Sequence, residues 1–142
     1  MAPSADKEVA PRHRILIVDD EESTRLLLAR MITDDLNVEA QLAGTCEQAL
    51  KLAGNYAYDA ILLDLLMPGI GGLGVLAAIR AASPNANTPV IVVSVVSDDE
   101  TVKRCMDGGA SAYHVKPVRR AELVSIVRAQ LAGRGKPKAK NG

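Results

Sequence analysis

Five short apolar runs, each followed by a stretch with helical spacing, set the pattern of the chain. The runs are "RILIV" (14–18), "VEAQLA" (38–43), "YDAILLD" (58–64), "PVIVVS" (89–94) and "SAYHV" (111–115). Most are continuously apolar rather than alternating, which predicts strands covered on both faces, as in a parallel sheet. Between them, segment 22–33 places Leu27, Leu28, Met31 and Ile32 on one face. Segment 45–53 opens with Thr45-Cys46-Glu47-Gln48, and 98–107 with Ser97-Asp98-Asp99-Glu100. Both read as capping boxes, in which a hydroxyl and a carboxylate or amide three residues on satisfy backbone N–H groups. Segment 72–82 carries Leu73, Leu76 and Ile79 and stops before Pro84. Segment 119–132 carries Leu123, Val124, Val127 and Leu131 and stops at Gly133.

Strand and helix alternate five times. That order predicts an α/β fold, a doubly wound five-stranded parallel sheet with five helices on both faces. Residues 1–12 and the Gly-, Pro- and Lys-rich 133–142 read as flexible tails around one domain, 13–132. A chain of 142 residues is long enough to bury one core.

Composition narrows the function classes. Lys+Arg and Asp+Glu balance at 17 each, so net charge does not point to nucleic acid or an anionic membrane. Phe and Trp are absent, which leaves three tyrosines and no aromatic platform for stacking bases. No segment has the length and apolarity of a signal peptide or a membrane span, so a cytoplasmic location is expected. Cys46 and Cys105 lack metal-ligand spacing and read as small buried apolar groups.

In an open parallel sheet, ligands bind outside the carboxyl ends of the strands. Strand one ends in Asp19 and Asp20, strand three in Asp64, strand four in Ser94, and strand five in Lys116 followed by Pro117. Three carboxylates brought together repel one another and raise one another's pKa. A hard divalent cation with oxygen ligands relieves that conflict, and Mg²⁺ suits a small carboxylate set. Lys116 and Ser94 supply a charge and a hydroxyl for an anion's oxygens. This combination is what phosphoryl transfer requires, with a carboxylate as the nucleophile. Each residue alone is unremarkable; their joint placement at four strand ends carries the reading.

The pieces "ILIVDDEE" (15–22), "DAILLDLLMPG" (59–69), "PVIVVS" (89–94) and "GASAYHVKP" (109–117), in this order and spacing, resemble the receiver domains of two-component response regulators. The resemblance covers residues 13–132. It implies a flavodoxin-like sheet of order 2-1-3-4-5. It implies that Asp64 is the phosphoacceptor, that Asp19, Asp20, Asp64 and the Leu66 backbone carbonyl hold Mg²⁺, and that Ser94 and Lys116 contact the phosphoryl group. Ser94 and Tyr113 match the switch pair, and Pro117 matches a cis-proline. The implied partners are a sensor histidine kinase or phosphotransfer protein, and a downstream protein that docks on the fourth helix, fifth strand and fifth helix. A homodimer through that face is a further candidate; membrane contact and direct nucleic-acid binding are not expected. No enzymatic activity is expected beyond the domain's own Mg²⁺-dependent phosphorylation and dephosphorylation.

The chain departs from the family pattern at Val95, where a small residue is common, at Gly71, where Asp is common, and at Leu66 and Val96, where polar residues are common. Two apolar groups at 66 and 96 predict slow loss of the phosphoryl group, because they fail to orient an attacking water. Two other readings stay open. One is a receiver-like interaction module that works without phosphorylation. The other is a small Mg²⁺-dependent phosphohydrolase, disfavoured because every loop is short. The cognate kinase, stimulus, downstream target and oligomeric state are not encoded in any motif.

Overall fold

A computed structural model describes residues 12–81 and 83–133. The tails read from the sequence fall mostly on residues 1–11 and 134–142, outside the described residues. The elements are β1 (His13–Val18), α1 (Glu22–Asp35), β2 (Val38–Ala43), α2 (Cys46–Asn55), β3 (Ala60–Leu63), α3 (Gly71–Ala81), β4 (Val90–Ser94), α4 (Asp99–Asp107), β5 (Ala112–Val115) and α5 (Arg120–Ala132). The five strands form one parallel sheet in the order β2-β1-β3-β4-β5.

The continuous apolar strands fill two cores, because side chains alternate across the sheet. Leu16, Val18, Ile61, Leu63, Val90 and Val92 point to the face covered by α2, α3 and α4. Ile15, Ile17, Leu62, Ile91 and Val93 point to the face covered by α1 and α5, where they meet Leu28, Ile32, Leu123 and Val127. Burial of a Leu or Ile of this kind contributes roughly 1.5–3 kcal/mol.

Several local expectations shift. β3 begins at Ala60 rather than Tyr58: the Asp59 N–H still donates to the Arg14 carbonyl at 2.8 Å, but the Arg14 N–H donates to the Asp59 carboxylate, at 2.8 Å, rather than to a backbone carbonyl. The N-cap of α4 is Asp98, not Ser97: its carboxylate accepts from the Thr101 N–H at 3.0 Å. At α2, Thr45 caps as expected, accepting from the Gln48 N–H, while the Gln48 amide oxygen reaches back to the Gly44 N–H. Leu28 and Ile32 are buried, but Leu27 is 53% exposed, so the apolar stripe of α1 is narrower than the sequence implied.

Register positions the functional edge. Val18 pairs with both Ala43 and Leu63, and Ser94 pairs with Val115. The carboxyl ends of these five strands, and the residues just beyond them, therefore lie on one rim of the sheet.

Candidate functional site at the carboxyl edge of the sheet

Asp19 follows β1 and is 1% exposed, yet each of its polar atoms has a partner. Its N–H donates to the Ala43 carbonyl at 3.1 Å, which ties the loop to the end of β2. Its Oδ1 accepts from the Glu21 N–H at 2.9 Å, its Oδ2 accepts from Lys116 Nζ at 2.8 Å, and its carbonyl accepts from Arg25 Nη1 at 2.7 Å. Asp20, the next residue, is exposed. Glu21 and Glu22 sit at the start of α1, where acids favour the helix dipole.

Asp64 follows β3 and is buried, with its N–H on the Val18 carbonyl at 2.9 Å. Its Oδ1 accepts from the Leu66 N–H at 3.3 Å, and its Oδ2 lies 3.6 Å from Lys116 Nζ. Burial pushes the Asp64 carboxyl above the usual carboxylate range. Lys116 pulls it down, Asp19 pushes it up, and the N–H groups of Leu66 and Leu65 pull it down, but burial prevails. For Lys116, burial disfavours the ammonium. The hydrogen bond to Asp19 and the charges of Asp64 and Asp19 outweigh burial and hold its pKa above the usual lysine value.

One carboxylate oxygen from each of Asp19, Asp20 and Asp64 lies within 4.8 Å of the other two. Three hard oxygen donors, one of them exposed, on a partly open rim match what a small divalent cation needs. Burial is the first cause of the raised Asp64 carboxyl, and a cation beside it would oppose that rise as Lys116 does.

The loop after Asp64 is shaped by glycine. At Gly72, the first buried residue of α3, an added Cβ would stand 2.3 Å from the Asp64 carbonyl oxygen and 2.6 Å from the Leu65 Cα, so no side chain fits. The Gly72 N–H donates to the Leu65 carbonyl at 3.0 Å. Gly69 and Gly71 take φ of 90° and 74°, which glycine adopts without penalty.

On the other side, Ser94 is fully buried, and its Oγ accepts from the Val96 N–H at 3.3 Å. The Val96 carbonyl accepts from the Tyr113 hydroxyl at 2.6 Å. One residue of the β4–α4 loop thus touches both Ser94 and Tyr113. The Lys116 N–H donates to the Ser94 carbonyl at 2.8 Å, and the Lys116–Pro117 bond is cis. Leu66 and Val95 are 53% and 59% exposed. Leu66 and Val96 line one shallow groove together with Ile70 and Thr101.

The structure therefore gathers Asp19, Asp20, Asp64 and Lys116, with Ser94 and Tyr113 linked through Val96. Sequence reasoning missed Arg25, which holds the Asp19 carbonyl, and Gly44, beside whose Cα the Arg25 guanidinium lies. Their only sequence signal was a cation early in α1 and a glycine just after β2.

Comparison with known proteins gives concordant results. The family model for the response regulator receiver domain matches residues 15–128. The chain is 34% identical over 121 residues to the response regulator GacA of Pseudomonas aeruginosa, covering 84% of this chain and 56% of that protein. It is 37% identical over 123 residues to the DNA-binding response regulator MtrA of Mycolicibacterium smegmatis, covering 84% and 51%. With the sensory/regulatory protein RpfC of Xanthomonas campestris it shares 35% identity over 116 residues, covering 80% of this chain but 16% of RpfC. It thus spans just over half the length of GacA and MtrA, and a small part of RpfC. Among solved structures, a chemotaxis-regulator-like receiver domain from Methanospirillum hungatei superposes with a TM-score of 0.81 at 23% identity, over 87% of this chain and 97% of that one. The receiver domain of a sensor histidine kinase from Pseudomonas aeruginosa, described with a magnesium ion in its active-site cleft, gives 0.78 at 27% identity, over 86% and 99%.

Proposed function

The chain belongs to the family of response regulator receiver domains, and on that premise we propose that it is a phosphorylation-controlled switch with Asp64 as phosphoacceptor. The supporting observation is the convergence of Asp19, Asp20 and Asp64 within 4.8 Å, with the Lys116 ammonium between Asp19 and Asp64. The phosphodonor is the phosphohistidine of a sensor kinase or phosphotransfer protein. A carboxylate oxygen of Asp64 attacks phosphorus. The P–N bond breaks, its electron pair stays on the imidazole, which takes up a proton, and Asp64 carries an acyl phosphate.

Each side chain has a part in that step. Lys116 opposes the effect of burial on Asp64 and so favours the ionised, nucleophilic form. Once the phosphoryl group is attached, the Lys116 ammonium is within reach of its oxygens, and the Ser94 hydroxyl turns to donate to one of them. Asp19, Asp20, Asp64 and the Leu66 carbonyl would hold Mg²⁺. When bound, the ion supplies charge neutralisation for the phosphoryl oxygens.

Conversion to a signal runs through Val96. When Ser94 turns toward the phosphoryl group, its Oγ no longer holds the Val96 N–H in the same way. The Val96 carbonyl, which anchors Tyr113, then moves with the loop. The α4–β5–α5 face changes its packing and with it the affinity for a downstream protein or a second copy of the chain, as a shift between two populations. Among the described residues no helix is long and apolar enough to cross a membrane, and the proposed location is the cytoplasm.

The test is intact-protein mass after incubation with Mg²⁺ and acetyl phosphate. The expected result is a gain of one phosphoryl group, absent in Asp64→Asn and without metal. The gain should decay slowly, because Leu66 and Val96 present apolar groups where a water would need orienting. A folded protein that gains no mass with Mg²⁺ present would overturn this reading and favour a module that binds partners without phosphorylation.

A further inference from the structure

We infer that Arg25 is a positioning residue for the acidic site, and that Gly44 exists without a side chain to let it act. The inference rests on the phosphoacceptor reading above. Arg25 stands on the first turns of α1 and is half-buried. Its Nη1 donates to the backbone carbonyl of Asp19 at 2.7 Å. That carbonyl and the N–H of Asp20 belong to one rigid peptide plane. Holding the carbonyl therefore sets the direction in which the chain enters Asp20.

This matters because Asp20 is the least constrained carboxylate of the set. Asp19 is pinned through its N–H, Oδ1 and Oδ2, and Asp64 through its N–H and the Leu66 N–H. Asp20 is exposed and inherits its placement from the backbone. Arg25 is the side chain that fastens that backbone from the flank.

Gly44 supplies the space. A Cβ built on Gly44 would lie 2.9 Å from Arg25 Nη1 and 3.3 Å from its Cζ. Gly44 is not in the left-handed region, so its backbone would accept alanine. What it would not accept is alanine and the guanidinium in their present places together. The start of α1, the end of β2 and the acidic loop meet at this one contact, with the Asp19 N–H on the Ala43 carbonyl closing it from below.

The sign of the effect separates positioning from simple charge. A guanidinium held on the Asp19 carbonyl, at the flank of the acidic loop, repels a second cation, so if Arg25 acted through its charge alone, removing it would tighten Mg²⁺ binding. If Arg25 positions Asp20, removing it weakens Mg²⁺ binding, by about tenfold, as loss of a group that orients a metal ligand commonly does. Gly44→Ala keeps the charge and displaces the guanidinium, so it too should weaken binding. The double variant Arg25→Met/Gly44→Ala should be no weaker than Arg25→Met, because both changes remove the same contact. Arg25→Lys keeps a donor and should recover part of the loss.

The experiment is calorimetric titration of the full chain and these variants with Mg²⁺ alone, with thermal unfolding in metal-free buffer to establish that each is folded. Wild-type binding with weaker binding in both single variants, a non-additive double and partial rescue by lysine is the expected result. Unchanged or tighter binding in Arg25→Met, or additive losses in the double, overturns the inference. If Arg25→Met does not fold, Gly44→Ala against wild type decides it. No Mg²⁺ binding by the wild type overturns the phosphoacceptor reading itself and the inference with it.

Discussion

Asp64 is buried in a place where its charge is under-compensated, and this has a consequence for stability. Burial holds its carboxyl above the usual range against the pull of Lys116. The native state therefore binds this proton more tightly than the unfolded chain does. Between the ordinary carboxylate pKa and the raised one, the native state carries more protons, so stability falls as pH rises through that window. Above it the cost is constant. Asp64→Asn removes the cost, so at neutral pH in metal-free buffer the variant should unfold at a higher temperature than wild type. The advantage should vanish as pH drops below the ordinary carboxylate range, where both chains are neutral at 64. Thermal melts at several pH values check this. A variant less stable than wild type at neutral pH would mean that Lys116 compensates Asp64 fully. The same reasoning makes the site a place where function and stability oppose each other: the charge that the proposed chemistry needs is the charge the fold tolerates least.

Between elements, connections rather than the regular structure set the rim's geometry. At the far end of the sheet, Asn85 is fully buried in the turn between α3 and β4. Its Oδ1 accepts from the Tyr58 N–H at 2.7 Å, and its Nδ2 donates to the carbonyls of Ala53 and Tyr56, each at 2.7 Å. Thr88 Oγ1 also donates to Asn85 Oδ1 at 3.0 Å. One amide thus closes the end of α2, the entry to β3 and the entry to β4. Arg80 fastens the same turn to the α4–β5 turn, donating to the carbonyls of Asn85, Ala86 and Gly109. Asn85→Ala leaves buried backbone groups without partners, each costing about 1–3 kcal/mol. Its stability loss in chemical denaturation should be at least about 2 kcal/mol, with Mg²⁺ affinity little changed because the site lies at the opposite edge. A loss under about 0.5 kcal/mol, the scale of an ordinary surface substitution, would mean the amide is not the hub its contacts describe.

At the scale of the whole molecule, much was legible in the sequence. Parallel strands buried on both faces must be apolar throughout, and that condition made β1, β3 and β4 visible. Their aligned ends, with that of β5, then brought Asp19, Asp20, Asp64, Ser94 and Lys116 to one rim without knowledge of any contact. The rest was hidden for physical reasons. "SDDE" offers several capping registers, and only the reach of Asp98 to both the N–H and the hydroxyl of Thr101 selects one. Leu27 and Leu28 differ by one residue on a helix, and the docking of α1 against the sheet and α5 decides that Leu28 is the buried one. Arg25 holds the Asp19 carbonyl and packs in the space left by Gly44, and Asn85 accepts from the Tyr58 N–H; contacts of this kind leave no periodic signature.

In the proposed mechanism Asp64 takes the phosphoryl group, and the most direct measurement locates the modification. The phosphorylated chain is treated with borohydride, which reduces an acyl phosphate of aspartate to homoserine, and then digested with trypsin. Residues 52–80 are released as one peptide that contains both Asp59 and Asp64. Fragmentation should place homoserine at position 64 and leave Asp59 unchanged. Homoserine at 59, at 19 or at 20, or at no position in a chain that has gained phosphate, would contradict it.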